Sequence, residues 1–506
     1  MDKKITYGLI SIFIVVLIIR LYFAFTIPNL TYDSYFHLRQ VENIKDTGLP
    51  LFSDPLSYGG REIRFLPFFH YLMALFNLLL PLTLVAKIIP NLLIASLTII
   101  VFFISNKISN HPTASLFSAG IAGFLPILFN TNSFTVNALF LPLMFLTIYA
   151  FLKVEQPQYG YIYLFFFLLL CLTSSATFLL IMGFGIYLLL SVVEGIKIKQ
   201  KELEIIIFSL FFYVWVQILF FKNTLLEQGI RFIWQNVPST IIQQYFPSIS
   251  LVYAIILISI LPFIAGIIVV YNSLFKSKDG QAFVLISLVI STSILALLKL
   301  VQSNLVLPFF ALILAILFSL FYRDVFNYLS QTKLAYQQIY PVILAILLAV
   351  TLILPAAATT QDQKTPSDDE INAFIWLRDN TPENVGVLGL LEEGNLITYY
   401  GHRKNLMDNQ FILIKDVDER FIAINTLFTT SFETYALNLL GQYNINYLIL
   451  TPTAKQKYSI KSFKYTSGAC LQKAYSNFLD KDLAVEGPVT IFELKCALQR
   501  SEQGNK

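Results

Sequence analysis

Residues 66–80 read LPFFHYLMALFNLLL, and the placement of this stretch decides the fold. It is apolar, yet it is short, carries His70 and runs into Pro81 ahead of a full-length apolar segment. A helix needs about 20 residues to cross a hydrocarbon core of about 30 Å. Apolar runs approaching that length lie at 7–27, 83–105, 114–130, 134–152, 159–173, 174–193, 204–221, 251–271, 282–298, 305–322 and 340–358. If 66–80 does not cross, Lys3, Lys4, Lys107, Lys153, Lys197, Lys199, Lys201, Lys276, Lys278, Arg323 and Lys333 all share the side of the N-terminus. If it does cross, every one of them after Lys4 changes side. Short basic loops resist translocation, so the first arrangement is expected, with a cytoplasmic N-terminus. Segment 66–80 then becomes a re-entrant or interfacial helix, and the multi-pass chain crosses the cell membrane about eleven times. An odd count puts the C-terminal residues on the extracytoplasmic side.

Composition agrees that the lipid bilayer is part of the solvent. With 56% hydrophobic and 13% charged residues and a mean hydropathy of +0.67, the chain lacks the polar surface that a soluble protein of this length needs. The polarity is uneven. From residue 360 onward there are 15 Lys/Arg and 18 Asp/Glu, against 20 and 13 before it. The expected division is a mainly α polytopic bundle over 1–360 and a soluble α/β domain over 361–506. The run at 7–27 outlasts a signal-peptide core and reads as an anchor. Outside the cytoplasm fall 28–65, 129–135, 222–250, 299–304 and the C-terminal domain. Elaborated loops gathered on one face suit chemistry or recognition there. A transporter would favour paired repeats and charges at mid-bilayer. Arg20, Lys87 and Lys299 lie instead near span ends, where snorkelling accounts for them.

The loop from residue 31, TYDSYFHLRQVENIKDTGLPLFSDPLSYGGREIRFLPFFHYL, packs Asp33, His37, Arg39, Asp54, Arg61, Glu62, Arg64 and His70 among turn formers. Ser34–Lys45 reads as a surface helix with Asp33 at its N-cap. Asp33 is a helix cap on position alone, or a carboxylate able to bind a divalent metal or take a proton. Arg61 and Arg64 are interfacial anchors, or forked donors for a lipid phosphate.

The loop resembles that of the catalytic subunit of oligosaccharyltransferase, above all its archaeal forms. The shared pattern is a first span, an Asp-containing loop of form D-x-x-Y-x-x-R, and a Gly-Arg turn before a Pro-aromatic segment. Here these are Asp33, Tyr35 to Arg39 (with Tyr35 one residue earlier than in the pattern), Gly60-Arg61 and Pro67-Phe68-Phe69-His70-Tyr71. After the last span, FIWLRDNTPENVGVLGLLEEGNLITYYGHRKNLMDNQF is similar in order to the family's W-L-R-x-N-T-P block, signature pentapeptide and G-x-R…D-N. The resemblance implies a GT-C membrane glycosyltransferase with its catalytic loop at 28–82. It implies transfer of a sugar or glycan from a polyprenyl-phosphate or diphosphate donor to an acceptor (protein, lipid or polymer) on the outer face. It also implies Mg²⁺ or Mn²⁺ held by acids from two external loops, and Asp33 matches the first of these metal ligands.

The chain departs from the family at several points. The second-loop acids are replaced by NTNSFTVNALFLP at 130–142, which has no carboxylate. A later T-I-x-E element matches Thr240-Ile241-Ile242-Gln243, so Gln243 stands where a charge is expected. Leu390-Leu391-Glu392-Glu393-Gly394 replaces the WWDYG pentapeptide, without its indoles and aspartate. Lys299 stands near the place of an arginine for the lipid phosphate. The expected site therefore has Asp33 as base, with His37, Arg39, Arg61, Arg64, His70, Gln243, Lys299, Glu392 and Glu393 as substrate contacts. Glu392 and Glu393 also read simply as acids favoured at a helix start. The departures leave a second reading open: a non-catalytic relative that binds lipid-linked glycan or scaffolds a membrane glycosylation complex.

The C-terminal segment alternates helix and strand. SDDEINAFIWLRDN opens with a Ser cap and acids in its first turn. VGVLGLL, NINYLILT and VTIFELK read as strands. Cys470 and Cys496 both lie where a disulfide can form. No Cys/His metal spacing, phosphate-cradling Gly loop or nucleic-acid motif occurs.

Overall fold

A computed structural model describes residues 2–228, 250–275, 280–298, 300–301, 303–331, 336–411, 414–466, 470–477 and 487–496. These fall into two compact units. The first takes 1–28, 65–228 and 250–363; the second takes 29–64 together with the chain from 364. The loop that the sequence groups with the membrane domain is thus folded with the C-terminal segment, because its polar groups find their partners there.

In chain order the helices are α1 (Lys3–Thr26), α2 (Ser34–Thr47), α3 (Phe68–Asn77), α4 (Leu82–Ser109), α5 (Pro112–Phe124), α6 (Asn137–Phe151), α7 (Pro157–Thr173), α8 (Phe178–Glu194) and α9 (Gln200–Gln228). There follow α10 (Leu251–Ile258), α11 (Ile260–Phe275), α12 (Gly280–Leu297), α13 (Ser303–Ser330) and α14 (Tyr336–Gln361). The second unit adds α15 (Asp368–Asn380), α16 (Gly394–Tyr399), α17 (Val417–Thr429), α18 (Glu433–Gln442) and α19 (Pro452–Tyr458).

Among the described residues of the first unit, six helices are long and apolar enough to cross a membrane: α1, α4, α8, α9, α13 and α14. The apolar run at 251–271 is one span by hydropathy, but it is broken into α10 and α11 at 94°. Ser259 at the break takes φ 74°, a left-handed conformation that ends a helix, while hydropathy stays high on both sides. Three further apolar helices, α6, α7 and α12, are shorter. At 1.5 Å per residue the ten residues of α3 rise about 15 Å, half a bilayer core, so the opening segment forms no spanning helix.

α13 is the core helix, packed by α4, α5, α11, α12 and α14. Its apolar window is 83% buried, whereas that of α9 is 17% buried and leaves most of its side chains on the outside of the unit. At Gly183 of α8 an added Cβ would lie 2.3 Å from Leu288 of α12, so the glycine sets how closely this pair crosses. Two of the three basic residues expected to snorkel do something else. Arg20 is buried in α1 and its Nη1 donates to the Leu128 carbonyl at 2.8 Å, with Phe129 beside it. Lys87 donates to the Ile27 carbonyl at 2.8 Å. Both lysine and arginine satisfy carbonyls that end or link helices, which anchors them inside the protein. Lys299 lies outside the described residues.

The second unit is an α/β layer. Its sheet runs β4 (Lys404–Asn405), β3 (Gly386–Leu388), β5 (Ile445–Leu450), β7 (Thr490–Leu494), β6 (Leu471–Ser476). β3 pairs in parallel with β4 and β5, and β7 runs antiparallel to β5 and β6. A short hairpin of β1 (Ser53–Asp54) and β2 (Arg61–Glu62) belongs to the same unit. α15 opens as the sequence predicts, with a capping box in which Ser367 and Glu370 satisfy each other's backbone N–H. Cys470 and Cys496, with Cα atoms 4.8 Å apart, form a disulfide that ties the start of β6 to the end of β7.

Candidate functional site

Asp33 stands at the N-cap position of α2, but its side chain makes no capping bond. Its Oδ1 instead accepts a hydrogen bond from the Asn409 amide. Asn409 is held in turn, since Asn395 Nδ2 donates to its Oδ1 at 2.7 Å. An exposed carboxylate is thus oriented by two amides in series, and this relay could not be read from α2 alone. The signal for it was the D-N pair that ends the second resemblance block. Asp33 remains open to solvent, while the protein packed around it raises its carboxyl above the usual range. The Asn409 bond opposes that rise and the charge of Glu392 adds to it. A carboxylate with a raised pKa and one amide partner can accept a proton.

The arginines of the loop are engaged within the protein. Arg39 forks onto Asp54, Nη1 to Oδ2 at 2.6 Å and Nη2 to Oδ1 at 2.7 Å. Asp54 Oδ1 also accepts the N–H groups of Leu56 and Ser57, which shapes the turn. Arg61 is buried against Asp408, with Nη2 3.1 Å from Oδ1, and donates also to the Gln410 carbonyl. Asp408 further accepts from Ser57 Oγ at 2.5 Å, Asn405 Nδ2 at 3.1 Å and Gln410 N–H at 2.8 Å. Tyr58, in a left-handed conformation at φ 55°, donates its N–H to Asn405 and its hydroxyl to the Asp408 carbonyl. The Gly-Arg turn and the D-N block are therefore two halves of one buried junction. Arg61 commits its two terminal nitrogens to that junction, and Arg39 commits its fork to Asp54. Arg64 is half-exposed and pairs with Glu62 at 2.7 Å.

The remaining candidates separate. His37 is buried in α2, and burial lowers its pKa to about 3, so its ring stays neutral. His70 belongs to the first unit, in α3, with its ring edge-on to Phe65 and Phe69. Glu392 is half-buried and faces Lys457 at 3.3 Å. Glu393 has no exposed surface. Its Oε2 accepts the Leu390 N–H at 2.8 Å and its Oε1 accepts from Thr451 Oγ1. Burial, followed by the charge of Glu370, pushes its pKa up to about 8. In this structure both Glu393 oxygens are thus held inside the second unit by Leu390 and Thr451. Gly394 next to it is required: an added Cβ would meet the Met407 carbonyl at 2.2 Å and Asp408 Cβ at 2.7 Å. Gln243 and Lys299 lie outside the described residues.

Among the described residues no three His, Cys, Asp or Glu side chains gather as a metal site. Asp54 and Glu62, two further carboxylates of the loop, are paired with Arg39 and Arg64, and an amide is Asp33's bonded neighbour. No step below is routed through a metal.

No protein-family model matches this sequence, and no curated protein does. Solved structures match over nearly the whole chain at 16% identity or less, and they show its fold, which is shared with an archaeal oligosaccharyltransferase and with ArnT. The archaeal oligosaccharyltransferase AglB of Archaeoglobus fulgidus, solved with an inhibitory peptide and a dolichol-phosphate, superposes with a TM-score of 0.69 at 16% identity. That match covers 90% of this chain and 70% of AglB. ArnT from Cupriavidus metallidurans superposes in its apo state with a TM-score of 0.58 at 10% identity, covering 96% of this chain and 98% of ArnT. Its complex with undecaprenyl phosphate gives 0.56 at 9% identity, covering 98% and 99%.

Proposed function

We propose that this protein is a membrane glycosyltransferase that moves a sugar or glycan from a polyprenyl-phosphate or diphosphate donor to an acceptor on the non-cytoplasmic face, with Asp33 as general base. The carrying observation is the Asp33 carboxylate, exposed, held by Asn409 and raised in pKa. In the reaction the acceptor's nucleophilic atom bonds to the anomeric carbon as Asp33 takes its proton. The bond from that carbon to the phosphate oxygen breaks, and the lipid phosphate leaves with the electron pair. Lys299 is proposed to supply positive charge to that phosphate as a point charge. Solved structures of this fold hold dolichol-phosphate or undecaprenyl phosphate, which supports a donor of that lipid class.

The membrane arrangement proposed with it has eleven crossings. The bent α10–α11 pair counts as one, and α5, α6, α7 and α12 join the six long helices. The N-terminus is then cytoplasmic and the second unit is outside. A divalent cation, Mg²⁺ or Mn²⁺, is not required in this reading.

A second reading, a non-catalytic relative that binds lipid-linked glycan, is favoured by the commitment of Arg39 and Arg61 to Asp54 and Asp408. The two readings part in one experiment, with purified chain supplied with polyprenyl-linked sugar and assayed separately for donor binding and for transfer. The transferase reading expects Asp33→Asn to keep binding and lose transfer by about 10²-fold or more, the range of general-base catalysis. Binding without transfer by the wild type would sink it and leave the second reading standing.

A further inference from the structure

Where α4 ends, α6 gives way to α7 and α8 turns toward α9, the first unit encloses a cavity of about 360 Å³. Four lysines line it, Lys107, Lys153, Lys197 and Lys199, against two carboxylates, Glu155 and Glu202. Local structure puts them there. Gly195 ends α8 at φ 69°, so the chain leaves the helix and carries Lys197 and Lys199 across to α9 in a non-helical link. Lys153 sits in the turn after α6, where its Nζ donates to the Tyr149 hydroxyl at 2.5 Å and to the Tyr159 hydroxyl at 3.4 Å. The two ring centroids are 4.5 and 4.9 Å from that ammonium.

Phenol hydroxyls and ring faces hold an ammonium in position without cancelling its charge. The acids do not cancel it either. Glu155 is taken by Lys199 at 2.5 Å, and Glu202 accepts from the Tyr187 hydroxyl at 3.2 Å. Lys107, Lys153 and Lys197 have no salt-bridge partner among the described residues. The cavity therefore carries a surplus of two positive charges, one of them fixed by an aromatic pair. The rest of its wall mixes Gln156 and Tyr187 with apolar side chains, among them Phe151, Ile196 and Val284.

We propose that this cavity binds a phosphate group, with Lys153 as its fixed donor and Lys107 and Lys197 closing on it. Three ammonium groups beside Phe151, Ile196 and Val284, at the ends of apolar helices, suit the phosphate of an anionic lipid headgroup, whose chains would continue along those apolar side chains. Free phosphate offers the same charge without the chains. The site stands on the first unit alone and does not depend on the proposed transferase activity.

The test measures binding of phosphatidylglycerol and of phosphatidylcholine to the full-length chain in detergent by native mass spectrometry, with inorganic phosphate as competitor. Phosphatidylglycerol should bind in preference to phosphatidylcholine. Lys153→Gln should weaken that binding about four- to tenfold, the effect of one charge about 5 Å away in a partly solvated site. Glu155→Gln should strengthen it by a similar factor, a gain that a damaged fold would not give. Displacement by millimolar phosphate in the wild type, lost in Lys153→Gln, would assign the site to free phosphate, and failure to displace would assign it to the lipid. Equal binding of both lipids and of phosphate by the wild type and both variants would overturn the proposal.

Discussion

Asp408→Ala is the substitution that most sharply separates a buried junction from a surface contact. Four donors converge on this carboxylate: the Arg61 guanidinium, Ser57 Oγ, Asn405 Nδ2 and the Gln410 N–H. Asp408 is 1% exposed, and the Arg61 side chain 4%. Removing the acid leaves a buried guanidinium without its counter-charge, which costs about 3–5 kcal/mol. For a folding unit of this size each kcal/mol lowers the midpoint by about 2–4 °C, so the second unit should melt roughly 6–20 °C lower. The assay is pulse proteolysis of the full-length chain in detergent along a temperature series, following cleavage within 29–64. That local readout matters because a two-unit membrane protein does not unfold in a single step. Pairing Asp408→Ala with Arg61→Met removes the orphaned charge and should recover a large part of the loss, a coupling that a double-mutant cycle reads directly. A cost under about 1 kcal/mol for Asp408→Ala, within the range of an exposed pair, or a double variant no more stable than the single one, would refute the reasoning.

Other outcomes follow from the same structure. Glu393 has its folded pKa pushed up to about 8, above its unfolded value, so its contribution is full below the ordinary carboxylate range and is lost as pH rises through about 8. Pulse proteolysis should therefore find the second unit weakening between pH 5 and pH 8.5, and Glu393→Gln should flatten that slope; a wild type equally stable at both ends would contradict it. Gly394→Ala pushes a methyl group into the Met407 carbonyl and should cost about 1–3 kcal/mol by overpacking, read as a lower melting midpoint. Replacing Cys470 and Cys496 by serine reopens a loop of 26 residues and should cost about 3 kcal/mol in urea unfolding; an unchanged midpoint would show that the bond does not constrain the unit. For topology, single cysteines placed beside Lys107 and beside Asn29 should be labelled by an impermeant thiol reagent from opposite sides of a sealed vesicle, and labelling from one side would overturn eleven crossings.

Much of the fold was legible because its signals are local. Ser367 and Glu370 announce the start of α15 three residues apart, and NINYLILT contains β5. The apolar runs locate the helices of the first unit, with ends that differ by up to eight residues, as where the run 305–322 meets Ser303–Ser330. What stayed hidden depends on backbone geometry or on residues distant in sequence. The bend at Ser259 lies inside unbroken hydrophobicity, so hydropathy reads α10 and α11 as one span. β6 reads LQKAYS, without clean alternation, because it is a sheet edge with only Leu471 buried. Arg20 looked like a snorkelling residue because its partner, the Leu128 carbonyl, is 108 positions away. In the candidate site, Asp33 was legible from its place in the loop, whereas Asn409 and Asn395 were not, since nothing in α2 specifies an amide more than 360 residues later. The arginines misled for a related reason. A forked donor suits a phosphate and a buried aspartate equally well, and only the fold shows that Asp54 and Asp408 hold Arg39 and Arg61.

The measurement that bears most directly on Asp33 as the base of a glycosyl transfer is the pH dependence of single-turnover transfer, from a polyprenyl-phosphate-linked sugar, by the purified full-length chain. Asp33 must be ionised to take the acceptor's proton, and its surroundings raise its pKa. The rate should therefore climb with pH through an apparent pKa above the ordinary carboxylate range, and Asp33→Asn should abolish the limb together with the rate. Transfer that persists in Asp33→Asn with the same pH limb would contradict the account.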